Sequence, residues 1–409
     1  MPTAEAQWVL LPAGQRASGE WIDDTLRERV VESGLLARTP LAAEFPRQRV
    51  EVIRNANDAE VSDLFYARGW TDGLPIVPPT MGRVEDMLRY ATQPASAVIG
   101  ELDPLKGVAT MEKVAANAVM AGCAPSYLPV VLAALEAILE PAFNLRGVQT
   151  TDENVAPLLV VSGPITEQLN LNGSFGALGP GWKANATIGR ALRLIMNNIG
   201  GGWPGAVSFA GIGQPGRYTM CLAENAAENP WDPLHVEYGL DADASAVTVT
   251  RAESAVNVTG GLAEIADVMG SAASLFAIYH NGIVAIILAP AVAKRLEADG
   301  WSKDDVKKHL FETGRLDTEM WRKSWLHKDL AEANQWPDWV QEAAKTGSIP
   351  AVRDPADITI IVAGGTIPIA QHVYFPSWGF PPCRIVKPVT LPADWDNLRA
   401  SDKAGTSSI

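Results

Sequence analysis

Cysteine, positive charge and long apolar runs are all scarce in this chain, and each scarcity excludes something. Only three cysteines occur among 409 residues, Cys123, Cys221 and Cys383. They are odd in number and far apart, so no disulfide framework is implied and a reducing, cytoplasmic setting fits best. Lys and Arg number 33 against 47 Asp and Glu, a formal charge of −14, with no basic block to offset it. Such a surface repels phosphate backbones and anionic lipids, which excludes nucleic acid and membrane surfaces as partners. The longest apolar runs, 127–139 and 283–292, each contain Pro and fall short of the roughly 18 residues a membrane span needs. The N-terminus holds one short apolar run, 8–12, and no positive leader, so no export signal is expected. Histidine is also sparse, with five in all, and no H-x-x-x-H or C-x-x-C spacing occurs. No metal site is therefore expected. Neither a G-x-S-x-G elbow nor a P-loop ending is present. A G-x-G-x-x-G spacing does occur at Gly211 to Gly216, but Arg217-Tyr-Thr-Met-Cys221 after it does not open a phosphate-binding helix. No organic cofactor is expected.

What is present is the mixture of a packed protein, 47% hydrophobic and 20% charged, long enough for two or three lobes. Periodicity predicts helices over 83–91 (capped by Thr80), 110–120, 127–139, 184–199, 262–275, 291–298 and 303–312, and strands over 157–161, 247–250, 255–258, 282–288 and 358–363. The pattern reads as a mixed α/β (α+β) fold. A possible duplication matches Glu112, Met120 and Gly163-Pro164 with Glu264, Met269 and Ala289-Pro290. The expectation is two pseudo-symmetric α/β halves, 57–240 and 241–393, facing each other across a central cleft, with a peripheral segment 1–56 and a frayed tail 394–409.

Three constellations could carry chemistry. Cys123 lies between two predicted helices, in Met120-Ala-Gly-Cys-Ala-Pro125. A thiol at a helix N-terminus gains thiolate character, and Lys113 on the preceding helix would add to it. The bland alternative is a small residue buried at a helix corner. Glu112 and Asn117 on that helix could line a pocket or face solvent. The stretch 221–237 gathers Glu224, Asn225, Trp231, His235 and Glu237 in one Pro-broken segment. Glu224 or Glu237 with His235 could form an acid–base pair, or the carboxylates could be solvated while Trp231 fills a core gap. Finally, the Gly-rich loop 172–182 runs into a helix carrying Asn185 and Arg190, where a carboxylate or oxyanion could bind. Its alternative is close backbone packing.

Several stretches together resemble a bacterial family. They are Arg68-Gly-Trp-Thr-Asp-Gly-Leu-Pro-Ile-Val-Pro-Pro-Thr80, which contains Asp72, then Glu112-Lys-Val-Ala-Ala-Asn-Ala-Val-Met-Ala-Gly-Cys123, Ala184-Asn-Ala-Thr-Ile-Gly-Arg190, Cys221-Leu-Ala-Glu-Asn225 with Pro230-Trp-Asp-Pro-Leu-His235, and Gly300-Trp-Ser-Lys-Asp-Asp-Val306. The set is similar to a family associated with the small selenocysteine-Gly-Ser-Cys (UGSC) type proteins, over roughly residues 60 to 390. The resemblance implies thiol or selenol chemistry on a small molecule. No Cys-Gly-Ser-Cys motif occurs in this chain, so such a centre would come from a small Cys- or selenocysteine-bearing partner protein, or be replaced by Cys123.

The leading expectation is an enzyme that cleaves or adds across a carbon–heteroatom bond of a small polar or anionic molecule. Cys123, assisted by Lys113, or the Glu224 and His235 pair would do the chemistry. Asp72, Glu112, Asn117, Asn185, Arg190, Asn225 and Trp231 would hold the substrate. A thiol-dependent oxidoreductase and a non-catalytic binding subunit are the alternatives. Tryptophans among charges, at Trp321, Trp325, Trp336 and Trp339, predict a homo-oligomer interface.

Overall fold

Strands form where aliphatic and β-branched residues run together between turn residues. In chain order they are β1 (Val98–Leu102), β2 (Gly107–Thr110), β3 (Ala156–Ser162), β4 (Cys221–Ala223), β5 (Ala246–Ala252), β6 (Val256–Thr259), β7 (Val284–Leu288), β8 (Arg315–Asp317), β9 (Ser348–Pro350), β10 (Ile358–Val362), β11 (Gln371–Phe375) and β12 (Ile385–Pro388). The computed structural model describes residues 57–330 and 335–406. The chain divides into units 1–60 and 61–409, and all twelve strands lie in the second. The expected peripheral segment 1–56 and the last three residues of the tail lie outside the described residues.

The architecture is mixed α/β, built on two four-stranded sheets. Their orders are β12-β5-β3-β4 and β6-β11-β7-β10. In both, the pairings in that order are antiparallel, antiparallel and parallel. Each sheet also takes its outer antiparallel strand from the chain leaving the other sheet. The chain passes from β5 directly to β6 in the second sheet, and from β11 to β12 in the first. Before each central strand lie two helices, Met111–Ala121 and Leu128–Leu139 ahead of β3, and Leu262–Met269 and Leu275–Tyr279 ahead of β7. Two sheets of the same order and sense, exchanging edges, are the pseudo-symmetry that the repeated helix–strand pattern implied. The sheet β12-β5-β3-β4 also spans the expected boundary at 240, because β3 and β4 precede it and β5 and β12 follow it.

Where the two sheets meet, they share a packed core. Strand alternation sends Leu158, Val160 and Leu222 of the first sheet and Ala285, Ile287, Ile361 and Phe375 of the second into one shared buried cluster. Each such aliphatic side chain removed from water contributes about 1.5–3 kcal/mol, so the seam is packed rather than solvated. The opposite faces carry helices. Val284, Ile286, Ile358 and Ile360 pack with residues of Leu262–Met269, Pro290–Ala298 and Lys303–Thr313. Leu128–Leu139 lies on β5 and β12, and Lys183–Asn198 on β4. No single helix among the described residues is long and apolar enough to cross a membrane.

Local rules explain the helix ends. Thr80 and Thr110 cap their helices, accepting from the backbone N–H of Arg83 and Lys113. Gly122 ends Met111–Ala121 in the left-handed region, with φ of 88°, which a side chain rarely adopts.

Two expectations need correction. The tail is not frayed from 394, because Trp395–Thr406 is helical and Trp395 and Leu398, three apart, are buried. The Trp395 indole donates to Gln168 Oε1 at 2.8 Å. The Trp-rich segment is not chiefly a surface. Trp321 and Trp336 are buried with Ile278, Leu316 and Val340 in a core of their own, while Trp325 is exposed. Trp321 and Trp336 therefore serve this core, and Trp325 is the tryptophan of the segment left to an oligomer interface.

Candidate functional site

Glu224 is the residue immediately after β4, and backbone geometry fixes it. Its N–H donates to Val161 O at 2.9 Å, extending the parallel pairing of β3 and β4 by one step. In the second sheet the matching bond runs from Ala363 N to Leu288 O, so one half places a carboxyl where the other has a methyl. From Glu224 the chain crosses between sheets, since Asn225 N–H donates to Val362 O at 2.9 Å. The Gly-rich loop is laid between the two strand ends, with Ala223 N–H donating to Asn172 O and Gly364 N–H to Gly173 O. A side chain at Gly173 would put its Cβ 2.7 Å from Ala223 O, so the glycine permits the close approach.

The Glu224 side chain is buried and fully engaged. Oε1 accepts from Asn229 Nδ2 at 3.0 Å and Oε2 from Leu234 N–H at 2.8 Å. Lys303 Nζ stands 3.9 Å away, nearer to Glu237 at 3.0 Å and to the carbonyl of Asp232 at 2.7 Å. Lys307 also pairs with Glu237, at 2.5 Å. Burial pushes the Glu224 carboxyl up to about 7, against the opposing pull of Lys303 and its hydrogen bonds. Burial also opposes ionisation of Glu237, but Lys303 and Lys307 together outweigh it and hold that carboxyl below its ordinary value. Two carboxyls thus share one ammonium group, Lys303, and are driven to opposite protonation behaviour, an arrangement suited to moving a proton near neutral pH.

The other expected site residues are placed differently. His235 is buried beside Ala242 O, 3.4 Å from its Nε2. The hydrogen bonds of Glu224 go to Asn229 and Leu234, not to His235, so that acid–base pair does not form. Cys123 is buried, with Sγ 3.3 Å from Thr187 O. Burial pushes its thiol up to about 12 despite Lys183 and Arg190 nearby, the reverse of the expected activation. Lys113 donates to Val108 O at 2.8 Å and is not among the charges acting on the thiol.

Arg190 grips Asp72 through two nitrogens, at 2.7 and 2.8 Å, and donates to Pro75 O, so both tie the 68–80 loop to its helix. Asn185 is spent on Asn172 and Ala177, holding the Gly-rich loop. Asn117 bonds Asn198 and Lys113 O. Asn225 Nδ2 donates to Gly364 O at 3.3 Å, and Trp231 Nε1 to Trp301 O. Glu112 is exposed on a solvated helix face. The loops after Gly122 and Gly173 both meet the first turns of Lys183–Asn198 as packing, where Thr187 O faces Cys123 Sγ and Asn185 holds Asn172. The segment after Cys221 meets the second of these loops where Ala223 N–H donates to Asn172 O.

Lys303 lies in the Gly300-Trp-Ser-Lys-Asp-Asp-Val306 stretch but has no role assigned to it by the sequence, and Lys307 is not singled out. In Lys303–Thr313 the buried positions are 303, 306, 307 and 310. Two lysines on the apolar stripe of an amphipathic helix are a readable sign of buried charge. Glu253, after β5 at the other end of the sheet, was also missed, and burial followed by Glu153 pushes it up to about 8. No group of three or more His, Cys, Asp and Glu placed to hold a metal ion occurs among the described residues. Comparison with family models, curated proteins and solved structures returns no match.

Proposed function

We propose that the chain is an enzyme of acid–base type, cleaving or adding across a carbon–heteroatom bond of a small polar or anionic substrate, with Glu224 as the proton-carrying group. The supporting observation is a buried carboxyl poised at about 7 beside Lys303, where the ends of β4 and β10 meet. As carboxylate, Glu224 removes a proton from carbon or water. As carboxylic acid, it returns that proton to the departing oxygen or nitrogen. Lys303 offsets the negative charge that develops meanwhile. Asn229 and the Leu234 N–H occupy the two carboxyl oxygens, and a substrate takes part by exchanging with those bonds. The buried thiols favour this over a cysteine mechanism, and they leave the implied selenocysteine-Gly-Ser-Cys kinship without a reactive thiol in this chain.

The test is a panel of small hydroxy acids, amides and amino acids incubated with the protein and followed by proton NMR. Conversion of one of them is expected to fall about 10²–10⁴-fold in Glu224→Gln and to persist in Cys123→Ala. Turnover that survives Glu224→Gln or disappears in Cys123→Ala refutes it.

A further inference from the structure

A second feature lies away from Glu224, between β3 and the helix Lys183–Asn198. A small, partly open pocket there is lined by Leu159, Gly189, Met196 and Met220, and by two arginines, Arg193 and Arg217. Its volume is about 10 Å³, close to what one water-sized particle requires.

The two guanidiniums lack a counter-charge. Arg193 is 7% exposed, and its Nε donates to Arg217 O at 2.7 Å. Its Nη2 is buried with no hydrogen-bond partner. Arg217 Nη2 donates to the neutral Ser208 Oγ at 3.0 Å. Neither arginine forms an ion pair among the described residues. Burial and then the Arg217 charge push Arg193 down to about 9, and no carboxylate acts against them. A buried guanidinium with an idle N–H is costly unless something negative or polar meets it. Water would satisfy the N–H but not the charge.

We propose that this cavity is a binding site for a monatomic anion, chloride in the cell, held by Arg193 Nη2 and the neighbouring Arg217 guanidinium. The void is too small for phosphate or sulfate. The ion supplies the charge that the fold withholds, and its place against β3 ties the 215–217 turn to the helix.

Two measurements test this. Crystals of the full chain grown in sodium bromide are examined at the bromine absorption edge, and Tm is compared in chloride and gluconate at equal ionic strength. An anomalous peak is expected within hydrogen-bond reach of Arg193 Nη2. Tm is expected to be higher in chloride by about 2 °C, and Arg193→Met removes that difference. Both wild-type measurements stand even if the variant folds poorly. Water alone in the cavity with no bromide peak, or equal Tm in the two salts for the wild-type chain, overturns it.

Discussion

Native protein treated with iodoacetamide at pH 8 is expected to keep Cys123, Cys221 and Cys383 unmodified, and to react at all three once unfolded. Each thiol is buried. Burial pushes Cys123 up to about 12, and burial with Cys123 as neighbour does the same to Cys221. Cys383 is raised by burial too, although Arg251 pulls the other way. At pH 8 a pKa near 12 leaves about 10⁻⁴ of the thiol as nucleophile, and closed packing slows reagent entry further. Mass spectrometry of native and denatured samples reads the difference directly. Stoichiometric alkylation of native Cys123, with a rate that levels off below pH 8, would restore the activated thiol.

Lys303→Met is expected to cost about 3–5 kcal/mol of stability, the usual penalty for stripping one partner from a buried ion pair. Lys303 is buried and serves Glu237, Asp232 O and, at longer range, Glu224. Glu237 keeps Lys307, but Glu224 loses its nearest cation. The loss has a predictable pH dependence. The folded pKa of Glu224 lies above its ordinary value, about 7 against 4.5, so its contribution to stability is fully present below 4.5 and declines as pH rises through 7. Without Lys303, which opposes that shift, the decline steepens. Urea denaturation should therefore show a larger deficit for the variant at pH 8 than at pH 5. A deficit equal at both values would mean that the lysine acts through its packing rather than its charge.

The fold was legible wherever burial is written in periodic apolar residues. The strands Ala156–Ser162, Val284–Leu288 and Ile358–Val362 and the helices Lys183–Asn198 and Lys303–Thr313 all stand close to where hydrophobic spacing puts them. Strand β4 was hidden because three residues, Cys221–Ala223, carry too little alternation to register. Edge strands β6 and β12 show intermediate or exposed positions, so β12 left no apolar run to read. The exchange of edges is tertiary information that no local pattern carries. The site was half legible. Glu224 stood out as a carboxyl in a Pro-broken loop, but Lys303, the cation beside it, comes from the helix Lys303–Thr313, far along the chain. Cys123 misled because a helix-start position suggests an activated thiol, whereas packing against Thr187 decides the opposite. Arg190, Asp72 and Asn185 looked like ligand residues because they are polar, yet Arg190 and Asp72 bind each other and Asn185 binds the backbone of the Gly-rich loop.

The most direct measurement is the titration of Glu224 itself. The chain is labelled with carboxyl-¹³C glutamate, and the resonance missing from Glu224→Gln is followed by NMR from pH 4 to pH 9. A midpoint near 7 is predicted, from burial outweighing Lys303 and the hydrogen bonds of Asn229 and Leu234. A midpoint at the ordinary glutamate value of about 4.3 would contradict it, and would leave Glu224 as a permanently charged strut with no proton to give.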